Sequence, residues 1–490
     1  MNFSTLDFAI FGVLVVAVVV VSFVGARWRG AKMSDIAEWS VGGHRFGGVI
    51  VWFLMGGDIY TAFALVSIPG GAFGTGGLIM YAAVYGIIAY PFLYFVMPRL
   101  YLIAKRHKMI TGGDYVKARF SSPTLALLVA LTGILAMLPY IALQIVGIRY
   151  VLDAMNLPVV ESFIIAFLVV AAFTIVAGLR GPTLGAIIKG FLLWGVIIVA
   201  TVVLASKFSG FGATFSSLPP AKYLIPNNLM LAFVTLGLGN GIAWPLFPNL
   251  LIGMFGAKDA RTIKRNCVFL PVYQIWLVVL AVFGFVALAQ NLVPSGVSSL
   301  AFPNVLAAYF PPTFVAIAFA GVIIGSMVPA SLQSLAAANL ITRNIYLEYF
   351  NKSASEGSQV KVGRVFVFVM IAGSLIFALT PAASGLIFYL LTMSYAWLLQ
   401  TLPAVVISLF WKRLDKFSVG LGWGVGMCIT TYGLYTVNFA TSLLPWVGNM
   451  YVGVFALLVN LVVMVVVRSL VVSRKVKTES ELKDDEYVDA

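Results

Sequence analysis

The chain has 490 residues, 61% of them hydrophobic and only 10% charged, whereas soluble domains carry about a quarter charged residues. Such an alphabet cannot build a water-facing exterior, which excludes a soluble enzyme or soluble binding module of this length. The formal net charge of +14 invites a nucleic-acid partner, so the placement of the basic residues decides its meaning.

A helix needs about 20 apolar residues to cross the hydrocarbon core. The sequence predicts thirteen such spans, near 7–26, 46–72, 76–98, 122–148, 159–179, 183–206, 228–254, 266–290, 308–340, 365–380, 384–410, 418–440 and 447–467. The first is followed, not preceded, by basic residues (Arg27, Arg29), the wrong flank for a cleaved signal peptide. With the N-terminus outside, every Lys and Arg falls on the cytoplasmic side except Arg149, Lys207 and Lys222, with Lys189 left at membrane depth. That asymmetry follows the positive-inside rule. The charge is therefore topology in a plasma-membrane protein whose partner is the lipid bilayer, and nucleic acid is not needed. One transmembrane domain is expected over 1–472. The stretch 473–490 alternates Lys475 and Lys477 with Glu479, Glu481, Asp484, Asp485 and Glu486 and reads as a disordered cytoplasmic tail. Cys267 and Cys428 are expected to be packed as small hydrophobes.

Two spans contain what an unbroken helix avoids. The second reads Met55-Gly-Gly-Asp-Ile-Tyr-Thr61 and then Ile68-Pro-Gly-Gly71; the seventh runs from Leu236 through Gly237, Gly239, Asn240, Gly241, Trp244 and Pro245 to Pro248. Freed backbone groups are tolerated in a membrane only where they meet protein, water or a ligand. The breaks lie five spans apart, so one opens a set of five at 46–206 and the other a set at 228–410. An odd offset inverts the second set, which is the plan of secondary transporters with a site between two discontinuous helices.

Further marks are Gly256-Ala-Lys-Asp-Ala-Arg261 after the seventh span, Asp58 in the first break, and Ser334-Leu-Ala-Ala-Ala-Asn-Leu-Ile-Thr-Arg-Asn-Ile-Tyr346 leaving the ninth. Through these the chain resembles the sodium:solute symporter family. The resemblance implies an all-α polytopic membrane protein with a LeuT-like inverted five-plus-five core, one extra helix before it and two after. Within the family, Leu54-Met-Gly-Gly-Asp-Ile-Tyr-Thr-Ala62 and Val328-Pro-Ala-Ser331 look most like the monocarboxylate permease branch. That likeness implies import of lactate, pyruvate and related small organic anions, without a cofactor.

The resemblance also implies a sodium ion held by carbonyls of the first broken helix and two adjacent hydroxyl residues of the ninth span. Those positions fall here on Val328 and Pro329, with Ser326 and Ser331 nearby. Hard cations want several converging oxygens. On the sixth span, a family pattern of Trp-Thr-Asp-x-x-Gln sets Ala186 where the acid belongs and Lys189 where the glutamine belongs. Ionisable groups at membrane depth are costly and point to function. Asp58 and Lys189 are the only ones at mid-depth, since His44 and His107 sit in loops. The expectation is that Lys189 replaces the sodium ion and that proton release from it, opposed by Asp58, couples a proton to transport. Sodium coupling is the alternative, and snorkelling of Lys189 toward the interface is the competing structural account.

For the substrate, Tyr60 and Thr61 beside the first break, Gln144 on the fourth span, and Asn240 and Trp244 at the second break are the expected ligands. Tyr395, Gln400, Gln333 and the arginines Arg149 and Arg180 rank behind them. Neither a channel filter, a signalling domain nor a catalytic or metal constellation is legible, and the chain is read as able to work as a monomer.

Overall fold

The computed structural model describes residues 3–30, 32–294, 297–380, 383, 387–471 and 480–483. Among these the molecule is helical apart from one antiparallel pair, Leu443–Leu444 with Met450–Tyr451. The first half contains α1 (Thr5–Val24), α2 (Gly48–Ile59), α3 (Ile68–Thr75), α4 (Tyr81–Arg106), α5 (Gly112–Phe120), α6 (Pro123–Ala154), α7 (Val159–Ala177) and α8 (Arg180–Lys207). The second contains α9 (Met230–Ala243), α10 (Pro248–Phe255), α11 (Ala260–Phe269), α12 (Pro271–Ala289), α13 (Pro312–Leu340) and α14 (Glu356–Ala378). It closes with α15 (Phe388–Leu399) and α16 (Pro403–Phe410), bent by 48° to one another, and then α17 (Lys416–Thr436) and α18 (Val452–Val466).

Helix starts follow from capping chemistry. Ser4 and Asp7 form a capping box on α1, and Thr111 and Asp114 form another on α5. Asp259 and Asp415 accept backbone N–H groups at the starts of α11 and α17, each satisfying donors that a helix leaves orphaned.

Every predicted span carries helix, yet nine helical stretches among the described residues are long and apolar enough to cross a membrane, ten with α15 and α16 taken together. The difference from thirteen has physical sources. α2 stops at 12 residues because its span is broken, and α17 dilutes its apolar residues with Gly420, Gly422, Gly424 and Gly426. The remaining predicted span falls on α7, a 19-residue helix over Val159–Ala177.

The packing is reciprocal between the halves. α4 packs on α9 as α12 packs on α3; α6 packs on α15 as α13 packs on α8; α6 packs on α14 as α13 packs on α7; and within each half the first helix packs on the fifth, α2 on α8 and α9 on α15. Exchanging the halves maps each contact onto its counterpart, as an inverted repeat requires. α1 lies outside this core against α8 and α13, while α17 and α18 pack on each other at the other end.

Two expectations need correction. Cys267 is buried, but Cys428 is exposed on α17, because that helix lies at the periphery. Most of the predicted tail is outside the described residues; within 480–483, however, the Glu481 N–H donates to the Ala118 carbonyl at 2.8 Å and Leu482 is buried. The polar composition of that stretch hid one apolar anchor.

Candidate functional site

At the first break, several freed backbone groups can be followed to partners. α2 ends at Ile59, and Tyr60 leaves the helix with φ −85° and ψ 78°. The Thr61 N–H turns to the Ile59 carbonyl at 3.1 Å, so it no longer serves Gly57 four residues back. The Phe63 N–H donates to Thr61 Oγ1 at 3.0 Å and the Ala62 N–H to Gln144 Oε1 at 3.1 Å. Tyr140 Oη donates to the Asp58 carbonyl at 3.4 Å.

The Gly57 carbonyl is taken by Lys189. Its Nζ donates to Gly57 O at 2.5 Å and to Gly325 O at 3.1 Å, with the side chain fully buried. The second carbonyl is free for a covalent reason: Pro329, four residues beyond Gly325 in α13, has no N–H to offer it. Lys189 thus ties α8 to two helices through two carbonyls that have lost their helical donors. The ammonium points inward, and snorkelling does not describe it.

Charge at the membrane centre costs about 2.5–3.5 kcal/mol on insertion scales. Two hydrogen bonds from a charged donor, at about 1.5–3 kcal/mol each, offset that.

Around the ammonium, the positions where the family resemblance puts sodium ligands are apolar. Ala186 and Val328 pack with Val18 and Ile324 in one small hydrophobic cluster. Ser326 bonds back to its own helix at Val322 O, 2.9 Å, and Ser331 accepts from Thr174 Oγ1 at 2.6 Å. Among the described residues Lys189 Nζ is hydrogen-bonded to the two carbonyls and to neither serine.

Asp58 is buried one residue from Gly57. Its Oδ2 accepts from Asn249 Nδ2 at 2.8 Å, and its Oδ1 has no partner. Gln333 of α13 lies alongside this carboxylate with neither amide atom hydrogen-bonded, and Asn249 Oδ1 and Gln144 Nε2 are likewise buried and unpaired. Aromatic rings wall the region: Phe247 in the second break sits 4.9 Å from Tyr140 and 4.9 Å from Tyr395. Unpaired polar groups at such depth are expensive. Several of them meeting at a break mark a place where a polar ligand belongs.

The predicted substrate residues divide. Gln144 and Asn240 are fully buried with free polar atoms, Asn240 at both ends of its amide. Thr61 spends its hydroxyl capping the segment after the break, and Tyr60 donates to Tyr273 O at 3.3 Å. Trp244 packs its ring against Tyr85 and Tyr90. Gln400 is engaged by Ala396, Gly453 and Asn460. Arg149 is exposed beside Asp153, and Arg180 is buried in an ion pair with Glu38 at 2.5 Å; neither is a free clamp. Asn249 was missed, although a lone amide directly after Trp244-Pro-Leu-Phe-Pro248 was a readable signal.

Below this cluster a narrow crevice runs from Leu246 and Pro248 past Gly133 and Ala336 to Thr111 and Gly112. Its far end is latched: Thr111 Oγ1 donates to Asn344 Oδ1 at 2.8 Å, Asn344 and Arg343 both reach Asp114, and Lys117 pairs with Glu348 at 2.6 Å.

Two discontinuous helices facing a buried polar cluster, inside an inverted pair of five-helix sets, define a secondary transporter. The chain belongs to the sodium:solute symporter family, whose model matches residues 39–424. It is 36% identical to a monocarboxylate transport permease protein of Rhizobium johnstonii, over 94% of this chain and 96% of that one. It is 32% identical to the uncharacterized symporter YodF of Bacillus subtilis, over 94% and 92%. Among solved structures, a Na+-coupled sialic acid symporter in a substrate-bound outward-open state superposes with a TM-score of 0.78 at 15% identity, covering 96% of this chain and 99% of that one. At that identity the likeness speaks for the fold.

Proposed function

We propose that this transporter imports short monocarboxylates of the lactate and pyruvate kind together with a proton, and that the Lys189 ammonium does the work a sodium ion does elsewhere in the family. The observation that carries the reading is the pair of bonds from Lys189 Nζ to Gly57 O and Gly325 O. While charged, Lys189 holds α2 and α13 together. On losing its proton it keeps only weaker neutral hydrogen bonds to the same carbonyls, and the two helices are released to rearrange. The 36% identity to a monocarboxylate permease favours the substrate class.

In this reading thirteen crossings place the N-terminus outside and the C-terminus in the cytoplasm of a plasma-membrane protein, with the sets at 46–206 and 228–410 rocking about the breaks. Asn249, Gln333, Gln144 and Asn240 supply amide donors to the substrate carboxylate, and Asp58 Oδ1 accepts from a hydroxyl or a proton. Thr61 and Tyr60 shape the break without binding substrate. Sodium coupling is the second reading, favoured by the family itself. The test is uptake of labelled lactate into proteoliposomes with an imposed pH gradient and sodium replaced by choline. Accumulation that grows as the outer pH falls and ignores sodium is expected. Strict dependence on sodium, with no response to the pH gradient, refutes proton coupling.

A further inference from the structure

A groove of about 670 Å³ opens on the lipid-facing side of the molecule, between α4 and the α11–α12 pair. Ile87 and Phe95 on one wall and Val268, Ile275 and Val278 on the other leave their apolar surfaces exposed. From Ala83 to Phe95 the wall on α4 rises ~18 Å at 1.5 Å per residue, against ~15 Å for half of a 30 Å hydrocarbon core. Its depth is that of one leaflet.

The polar atoms at the floor are already spent. Gln274 Nε2 donates to the Ala82 carbonyl, and Tyr90 Oη donates to Gln274 Oε1 at 3.1 Å. The groove therefore offers little to a polar ligand and a continuous apolar channel to a hydrocarbon one.

One end carries charge. α11 presents Arg261, Lys264 and Arg265 to solvent and, a turn later, exposed Val268 and Phe269. This is the pattern of a helix lying at a membrane surface. Lys264 Nζ stands 5.7 Å over the ring of Tyr94, itself part of the groove wall, so the cationic cluster sits at the mouth of the apolar channel. Basic clusters beside grooves between membrane helices recognise anionic head groups.

We propose that this groove is a binding site for one anionic phospholipid of the leaflet on the α11 side. An acyl chain lies along α4 and α12, and the phosphate is held by Arg261, Lys264 and Arg265. The site touches transport through Tyr90, which packs edge-on against Trp244 at the second break, 5.7 Å between ring centres. It stands on different residues from the coupling site, so either proposal can fail alone.

The test is native mass spectrometry of the full chain released from nanodiscs of phosphatidylcholine with phosphatidylglycerol. The wild type is expected to retain one phosphatidylglycerol in preference to phosphatidylcholine. The double reversal Lys264→Glu with Arg265→Glu is expected to lower retention about tenfold or more, whereas Lys361→Glu, an exposed cation on α14, leaves it unchanged. Ile275→Trp fills the groove without altering charge and is expected to lower retention of the same lipid; thermal stability in phosphatidylcholine alone confirms that the variant is folded. Three results overturn the proposal: equal retention of the two lipids, full retention in Ile275→Trp, or dimerisation in which a second copy covers the groove and excludes lipid.

Discussion

Two buried cations stand on α8, and they are held in opposite ways. Arg180 has a carboxylate, Glu38 Oε2 at 2.5 Å, and adds the Trp28 carbonyl at 2.7 Å and Gly42 O at 3.4 Å. Lys189 has two carbonyls and, among the described residues, no carboxylate within ion-pair distance. A guanidinium cannot give up its proton in a protein, whereas a buried ammonium can. The first cation is a fixture that pins the start of α8 to the segment around Glu38. The second is held by two backbone carbonyls and no counter-charge, and it joins helices from both halves of the repeat. The contrast separates charge used for architecture from charge available for exchange.

The largest effect that tests this contrast is expected at the fixture. Arg180→Met leaves the Glu38 carboxylate buried with only Arg45, 3.3 Å away on its exposed side. Breaking a buried pair in this way costs about 3–5 kcal/mol. A large drop in the thermal midpoint of the purified protein should follow, equal with and without lactate. Stability close to wild type would show that the pair is dispensable and the contrast misplaced. Next comes Lys189→Gln. A glutamine amide can still donate to Gly57 O, so the fold should be retained with a much smaller change in midpoint, but no proton can be carried. Uptake driven by a pH gradient is expected to fall at least ~10-fold, about 1.4 kcal/mol or more, with lactate exchange across equal pH retained. Unchanged gradient-driven uptake would return Lys189 to architecture alongside Arg180.

Much of this was legible in the sequence because the bilayer leaves a chain few choices. Apolar runs had to be helices, and the breaks at Met55–Thr61 and Leu236–Pro248 stood out against them. Lys189 was legible as a rare charge at depth, and Ala186 and Val328 as apolar residues where the family resemblance implies polar ones. The partners of Lys189 were harder to read, since backbone carbonyls carry no side-chain signature. One clue was present all the same: a proline at 329 frees the carbonyl of Gly325, and that inference needs only helix geometry. The hydroxyls of Thr61 and Ser326 meet nearby backbone groups, as hydroxyls near a break often do. Tyr60 and Ser331 instead meet partners far away in sequence, the Tyr273 carbonyl and Thr174 Oγ1, and the ring of Trp244 meets Tyr85 and Tyr90 of α4, contacts that sequence separation conceals.

The smallest expected effect lies at that proline. Pro329→Ala restores an N–H aimed at Gly325 O, the longer of the two bonds to Lys189 at 3.1 Å. A carbonyl has two lone pairs, so the ammonium is weakened in its hold and not expelled. Removing a proline from a helix interior also favours the helix itself, and the thermal midpoint should rise or stay level. A few-fold loss of gradient-driven uptake is expected, on the order of 0.5–1 kcal/mol for a shared acceptor, with the remaining uptake still responding to pH. Lys189→Gln in the same background should then cost less than it does alone, because part of what it removes has already gone. If the two losses simply multiply, Pro329 and Lys189 act separately, and the proline is a kink with no part in holding the charge.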